Sequence, residues 1–169
     1  TGHRDLDAIV AWSRGRPIAL GRLLADAQHL AGLLPVGEPV INLCEGRYAF
    51  LVGFTAALLS GRETLLPPSR LAAAVQGLRH RFPDAAVLVD PDAADSPYPG
   101  ALPVPLLDPY RDFAESAAIT LPRISAGTVA AEVYTSGTTG LPTAHRKTWG
   151  SLTSGAGNVI RALDLDALR

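Results

Sequence analysis

Residues 40–89 read VINLCEGRYAFLVGFTAALLSGRETLLPPSRLAAAVQGLRHRFPDAAVLV, and the rhythm of this stretch decides the fold class. Val40–Cys44, Thr64–Leu66 and Ala86–Val89 are short runs rich in apolar residues, the lengths expected of strands buried on both faces. Between the first two, Arg47–Leu59 is apolar at almost every position and Gly61 stops it, which predicts a core helix. Between the second and third, Leu71, Val75, Leu78 and Phe82 recur at helical spacing, with Ser69 expected as the cap. Strand, helix, strand, helix, strand with apolar strands predicts parallel β-α-β layers covered on both sheet faces. The predicted class is α/β.

Outward from this stretch the pattern is simpler. Ile9–Trp12 and Pro17–Leu20 flank Ser13-Arg14-Gly15-Arg16, which reads as a small β-hairpin preceding the layers. Gly21 opens a helix with Leu23, Leu24, Ala27, Leu30, Ala31 and Leu34 on one face, ended by Pro35 and Gly37. Downstream, Asp90–Pro109 is a long connection with a brief strand expected near Val104–Leu107. Ala114–Pro122 carries only a weak pattern. Val129–Tyr134 predicts a strand. Trp149–Leu163 predicts a helix, from Leu152, Ala156, Val159, Ile160 and Leu163.

Composition excludes several classes. The chain has 169 residues, 47% hydrophobic and 18% charged, with net charge −1; that balance argues against a general nucleic-acid binder, which carries a basic stripe. Cys44 is the single cysteine, so neither a disulfide framework nor a thiolate metal cluster is available, and a buried, inert thiol is expected. With no secretory leader in view, a cytoplasmic setting is expected. The longest apolar run, Tyr48–Ser60, is too short to cross a bilayer. The chain opens on Thr1, lacks methionine and reaches Arg169 without a stop signal, as expected of a piece of a longer protein.

The chemistry concentrates at Tyr134–Lys147, YTSGTTGLPTAHRK. A strand that runs into glycines and hydroxyls suits phosphate. Gly137 and Gly140 let the backbone come close, successive N–H groups form a concave nest, and Ser136, Thr138 and Thr139 add donors. By composition alone the same residues also describe a bare surface turn. The string is not a Walker loop, which needs four residues between its glycines and a lysine directly after the second; here two separate Gly137 from Gly140.

As a string, Tyr134-Thr135-Ser136-Gly137-Thr138-Thr139-Gly140-Leu141-Pro142 closely resembles the phosphate-loop signature of the adenylate-forming synthetases. These are the acyl-CoA synthetases, peptide-synthetase adenylation domains and luciferases. The resemblance implies a two-step ligase that uses ATP and magnesium. A carboxylate attacks the α-phosphate, giving an acyl- or aryl-adenylate and pyrophosphate, and the acyl group passes to the thiol of coenzyme A or carrier-protein phosphopantetheine. It also implies that Thr135, Ser136, Gly137, Thr138, Thr139 and Gly140 contact the β- and γ-phosphates, acting by position and charge. Residues 1–169 would then be an N-terminal fragment of the large AMP-binding domain. The rest of that domain, most magnesium ligands and the C-terminal domain with its catalytic lysine would lie outside it. Such a fragment alone is not expected to catalyse adenylation.

One departure stands out. Thr143 takes the place where the family has lysine, and Ala144 the place of a glycine. Arg146 or Lys147, the chain's one lysine, is expected to restore the charge, although cations at a helix start are disfavoured unless an anion is bound. The departure also supports an alternative: a non-catalytic scaffold or interaction module that keeps a degenerate loop. His145-Arg146-Lys147 with Trp149, and Asn42-Leu43-Cys44-Glu45 before Arg47–Phe54, are similar to the aryl acid:acyl-carrier-protein ligases of bacterial aryl-polyene and xanthomonadin-type pigment clusters. That similarity implies an aryl acid as substrate.

Other candidates read as ordinary structure. His29 and His80 lack partners at ligand spacing. Asp90, Asp92 and Asp95 read as a solvated acidic turn, because the glycine and closing glutamate of a calcium loop are missing. Arg79-His80-Arg81 suits a helix C-terminus, and Trp12 and Trp149 suit packing.

Overall fold

Arg14 and Gly15 both take positive φ, 49° and 75°, as the two-residue turn of a tight hairpin requires. They join β1 (Ile9–Ser13) to β2 (Arg16–Ala19) in an antiparallel pair. The computed structural model describes residues 5–93, 96–106, 119, 121–135 and 143–164. Within them follow α1 (Leu20–Ala31), β3 (Val40–Asn42), α2 (Arg47–Leu59), β4 (Thr64–Leu66), α3 (Ala72–Arg81), β5 (Ala86–Val89), β6 (Leu102–Pro103), β7 (Val129–Thr135), β8 (Thr143–Thr148) and α4 (Trp149–Ala162).

Six strands form one sheet in the order β6-β5-β3-β4-β7-β8. Every neighbouring pair is parallel except β7 and β8, which are antiparallel. The predicted parallel β-α-β layers and the preceding hairpin are therefore present. Side-chain alternation then sorts the core. Val40 and Leu88 face α1 and α2, while Ile41, Leu65, Val87 and Val89 face Val75 and Leu78 of α3. The α2 helix lies close on the sheet because Gly53 has no side chain; a Cβ there would sit 2.8 Å from both Asn42 Nδ2 and Leu88 Cδ1. Asp26 of α1, fully buried, accepts hydrogen bonds from Arg22 Nε at 3.0 Å and Tyr48 Oη at 2.6 Å, tying α1 to α2. Burial and the bond to Asp26 push the Tyr48 phenol well above its ordinary pKa.

Several expectations shift. The α1 helix ends at Ala31, with Gly32 N–H bonded to Gln28 O, so Leu34 is buried beyond the helix rather than on its face. The α3 helix starts at Ala72 with Leu71 as its extended N-cap and no side-chain cap, so Ser69 does not cap it. The brief strand falls at Leu102–Pro103, ahead of the expected position; Leu107 and most of 114–122 lie outside the described residues. The larger difference is β8, whose Arg146 and Lys147 the sequence reading set at the start of a helix.

Candidate functional site

Because β3, β4, β5 and β7 are parallel, their carboxyl ends open onto one edge of the sheet. The chain leaves β3 through α2 toward β4, and leaves β5 in the opposite direction toward β6, yet β3 and β5 are neighbours. The crevice beyond their ends is thus a topological switch point, the usual ligand position in an open α/β sheet. An open cleft of about 610 Å³ lies there, lined by Leu43, Glu45, Arg70, Asp90, Asp92 and Tyr98 among others. A smaller one of about 260 Å³ adjoins it across Leu43 and Arg70, walled by Phe50, Leu66 and Pro67.

This edge is cross-tied by charge. Asp90, just past β5, accepts the backbone N–H of Glu45 at 2.7 Å and of Gly46 at 2.9 Å, at the start of α2. It is therefore not the solvated turn residue expected from sequence. Asp92 is, being 76% exposed and 3.8 Å from Arg14, while Asp95 lies outside the described residues. Arg70 donates to Leu43 O and Cys44 O, both at 3.1 Å, and Tyr98 Oη donates to Arg70 O. Cys44 is buried beneath, and burial together with the Asp90 charge pushes its thiol up to about 12. Sequence reasoning did not find Arg70, Tyr98 or the role of Asp90. Their contacts join residues 26 to 45 positions apart, and no local pattern signals them.

Of the candidate phosphate residues, Thr135 closes β7 at this same edge; Ser136, Gly137, Thr138, Thr139 and Gly140 lie outside the described residues. Arg146 and Lys147 are on β8, not in a helix. The α4 helix begins at Trp149 and is capped by Thr148, whose Oγ1 accepts from Ser151 N at 3.2 Å. The objection that cations sit badly at a helix start does not describe Arg146, which faces two carboxylates across the sheet.

Register divides the two cations. Thr135 pairs with Thr143, Val133 with His145 and Ala131 with Lys147; on the alternate positions Glu132 pairs with Arg146 and Tyr134 with Ala144. Thr135, His145 and Lys147 therefore share one face, with His145 Nε2 3.4 Å from Thr135 Oγ1. Arg146 points to the other. Its Nε lies 3.1 Å from Glu132 Oε1 and its Nη2 bonds Glu63. Glu132 is buried, at 5% exposure, and also accepts from Tyr134 Oη at 2.7 Å. Burial, then the bond to Glu132, pushes the Tyr134 phenol up to about 12.

No family model matches the chain, and no curated protein does. Solved structures do share the fold. The o-succinylbenzoate CoA synthetase MenE from Bacillus subtilis, bound with its product analogue, superposes with a TM-score of 0.67 at 19% identity, over 93% of this chain and 34% of that one. MatB from Rhodopseudomonas palustris gives 0.66 at 22% identity, over 95% and 35%. A fatty acyl-adenylate ligase from L. pneumophila, with acyl adenylate and pyrophosphate, gives 0.62 at 18%, over 86% and 28%. The neighbours are adenylate-forming, acyl-CoA-synthetase-like enzymes, and the fold matches their N-terminal domain. The chain spans about a third of the length of these proteins. At such identities the likeness establishes the fold and leaves the reaction to the site.

Proposed function

We propose that residues 1–169 are the N-terminal part of the AMP-binding domain of an ATP-dependent carboxylic acid ligase. The ligase forms an acyl- or aryl-adenylate, releases pyrophosphate and passes the acyl group to a thiol. The observation that carries this reading is a coincidence of motif and place. The glycine and hydroxyl string begins where β7 ends, at the carboxyl edge of a sheet shared with enzymes solved bearing acyl adenylate, pyrophosphate, or ATP with magnesium. Thr135, Ser136, Gly137, Thr138, Thr139 and Gly140 would hold the phosphates through backbone N–H groups and hydroxyls. Lys147 is the proposed counter-charge, since it shares a face with Thr135, whereas Arg146 faces carboxylates. Among the described residues no three His, Cys, Asp or Glu side chains converge on a metal site; magnesium would arrive with the nucleotide and find its protein ligands elsewhere.

The finer reading rests on sequence. Asn42-Leu43-Cys44-Glu45 and His145-Arg146-Lys147 support an aryl acid as substrate and carrier-protein phosphopantetheine, rather than coenzyme A, as acceptor. A cytoplasmic setting fits the use of ATP; no described helix is long and apolar enough to cross a membrane. One observation favours a second reading, a binding module with a degenerate loop: Thr143 replaces the family's lysine and Arg146 is taken up by Glu132 and Glu63. Titration of ATP–magnesium and of pyrophosphate, followed by Trp149 fluorescence, separates the two. The ligase reading expects saturable binding that Ser136→Ala with Lys147→Ala abolishes, and no pyrophosphate release by the fragment itself. Absence of any binding favours the module.

A further inference from the structure

Three consecutive basic residues, His145, Arg146 and Lys147, face a strand that carries one buried carboxylate. A slip of one residue would exchange Lys147 or His145 for Arg146 opposite Glu132 and turn every β8 side chain to the other face. Charge alone does not choose, because Lys147 also neutralises a carboxylate. Shape does. Arg146 reaches two carboxylates at once, Glu132 of β7 through Nε and Glu63, one residue ahead of β4, through Nη2. A planar fork makes those two bonds in fixed directions and an ammonium does not. Tyr134 Oη occupies the second oxygen of Glu132, and Arg81 of α3 approaches the same hydroxyl at 3.5 Å. Both oxygens of Glu132 are thus engaged, one by Tyr134 of its own strand and one by Arg146 of β8.

We infer that Glu132 and Glu63, acting through Arg146, are positioning residues that lock the register of β8 and so set His145 against Thr135, with Lys147 further along the same face. The consequence for phosphate rests on the reading proposed above; the register claim stands on its own contacts. Arg146 is then a strut and not a phosphate ligand.

Two measurements test this on the 169-residue chain. The first is cross-linking by a short bifunctional thiol reagent, with Thr135→Cys paired with either Thr143→Cys or Ala144→Cys. The expected result is that only the 135–143 pair joins in the parent. In Glu132→Gln and Arg146→Lys the 135–144 pair gains at its expense. An unchanged pattern in both variants overturns the lock. The second is affinity for inorganic pyrophosphate and ATP–magnesium. Arg146→Met and Glu132→Gln should each weaken binding about tenfold, and the two combined should be no weaker than either alone to within about twofold, since both break the same lock and their effects do not add. A double variant weaker than Arg146→Met by about a further tenfold shows that Arg146 touches phosphate independently of Glu132 and overturns the strut. If the parent binds neither probe while the cross-linking follows expectation, the nucleotide reading fails and the lock stands.

Discussion

Replacing Asp90 by alanine is the most informative single change at the carboxyl edge. The carboxylate accepts N–H groups from Glu45 and Gly46 at 2.7 and 2.9 Å, and α2 has no side-chain cap of its own at Gly46. Asp90 therefore does from across the sheet what an N-cap residue does locally. Hydrogen bonds to a charged acceptor contribute about 1.5–3 kcal/mol each, and an acidic group at a helix start about 0.3–1 kcal/mol. The loop is solvent-accessible, so water recovers part of the loss, and the expected cost of Asp90→Ala is about 2–4 kcal/mol. For a chain of this size that lowers the melting temperature by roughly 10 °C. Asp90→Asn keeps an acceptor oxygen and should cost about half as much.

The measurement is urea unfolding followed by circular dichroism, with the m-value required to stay constant. Asp92→Ala is the internal control. Two residues away and 76% exposed, it should stay within about 0.5 kcal/mol of the parent. Gly46→Ala sharpens the test, because its Cβ would lie 2.8 Å from Asp90 Oδ1 and must push the carboxylate away. Its steric penalty should vanish in an Asp90→Ala background, leaving the N-cap preference for glycine over alanine, about 1 kcal/mol. Equal effects at positions 90 and 92, or full additivity between 46 and 90, would refute the reasoning.

Two further outcomes follow from burial. Cys44, its thiol pushed up to about 12, should stay unreactive toward a disulfide reagent at pH 8 in the folded chain and react fully in guanidinium; rapid labelling of the native state would show that the edge opens. Tyr134 is raised from an ordinary 10 to about 12, so it binds its proton more tightly folded than unfolded. The stability this confers is complete below pH 10 and is lost between pH 10 and 12, on the order of 3 kcal/mol at most. Tyr134→Phe should therefore flatten the fall in stability across that window, and spectrophotometric titration of the folded chain should show no phenolate from Tyr134 at pH 10.5.

How far the sequence revealed the structure depends on where the ordering information sits. For α2, β4 and β5 it is local: apolar runs stopped by Gly61, Pro67 or Asp90 show both their length and their period, and the observed limits match the expected ones. The α3 start differs because Ser69, a good cap in isolation, precedes Arg70, whose side chain is drawn to Leu43 O and Cys44 O; the helix waits until Ala72. The hidden element is β8. Thr-Ala-His-Arg-Lys-Thr offers no alternation of apolar and polar residues, so neither the strand nor its facing could be seen from its own composition. Its order is supplied by β7, where a buried glutamate interrupts an otherwise apolar strand. An unpartnered carboxylate inside a sheet is costly, so Glu132 in the sequence already implied a cation across from it. It could not say which of three neighbouring basic residues that would be. The pleat separates them, with Arg146 facing carboxylates and His145 and Lys147 on the face they share with Thr135. A basic cluster that looked like a single feature is thus two features on opposite faces, one structural and one free to meet a ligand.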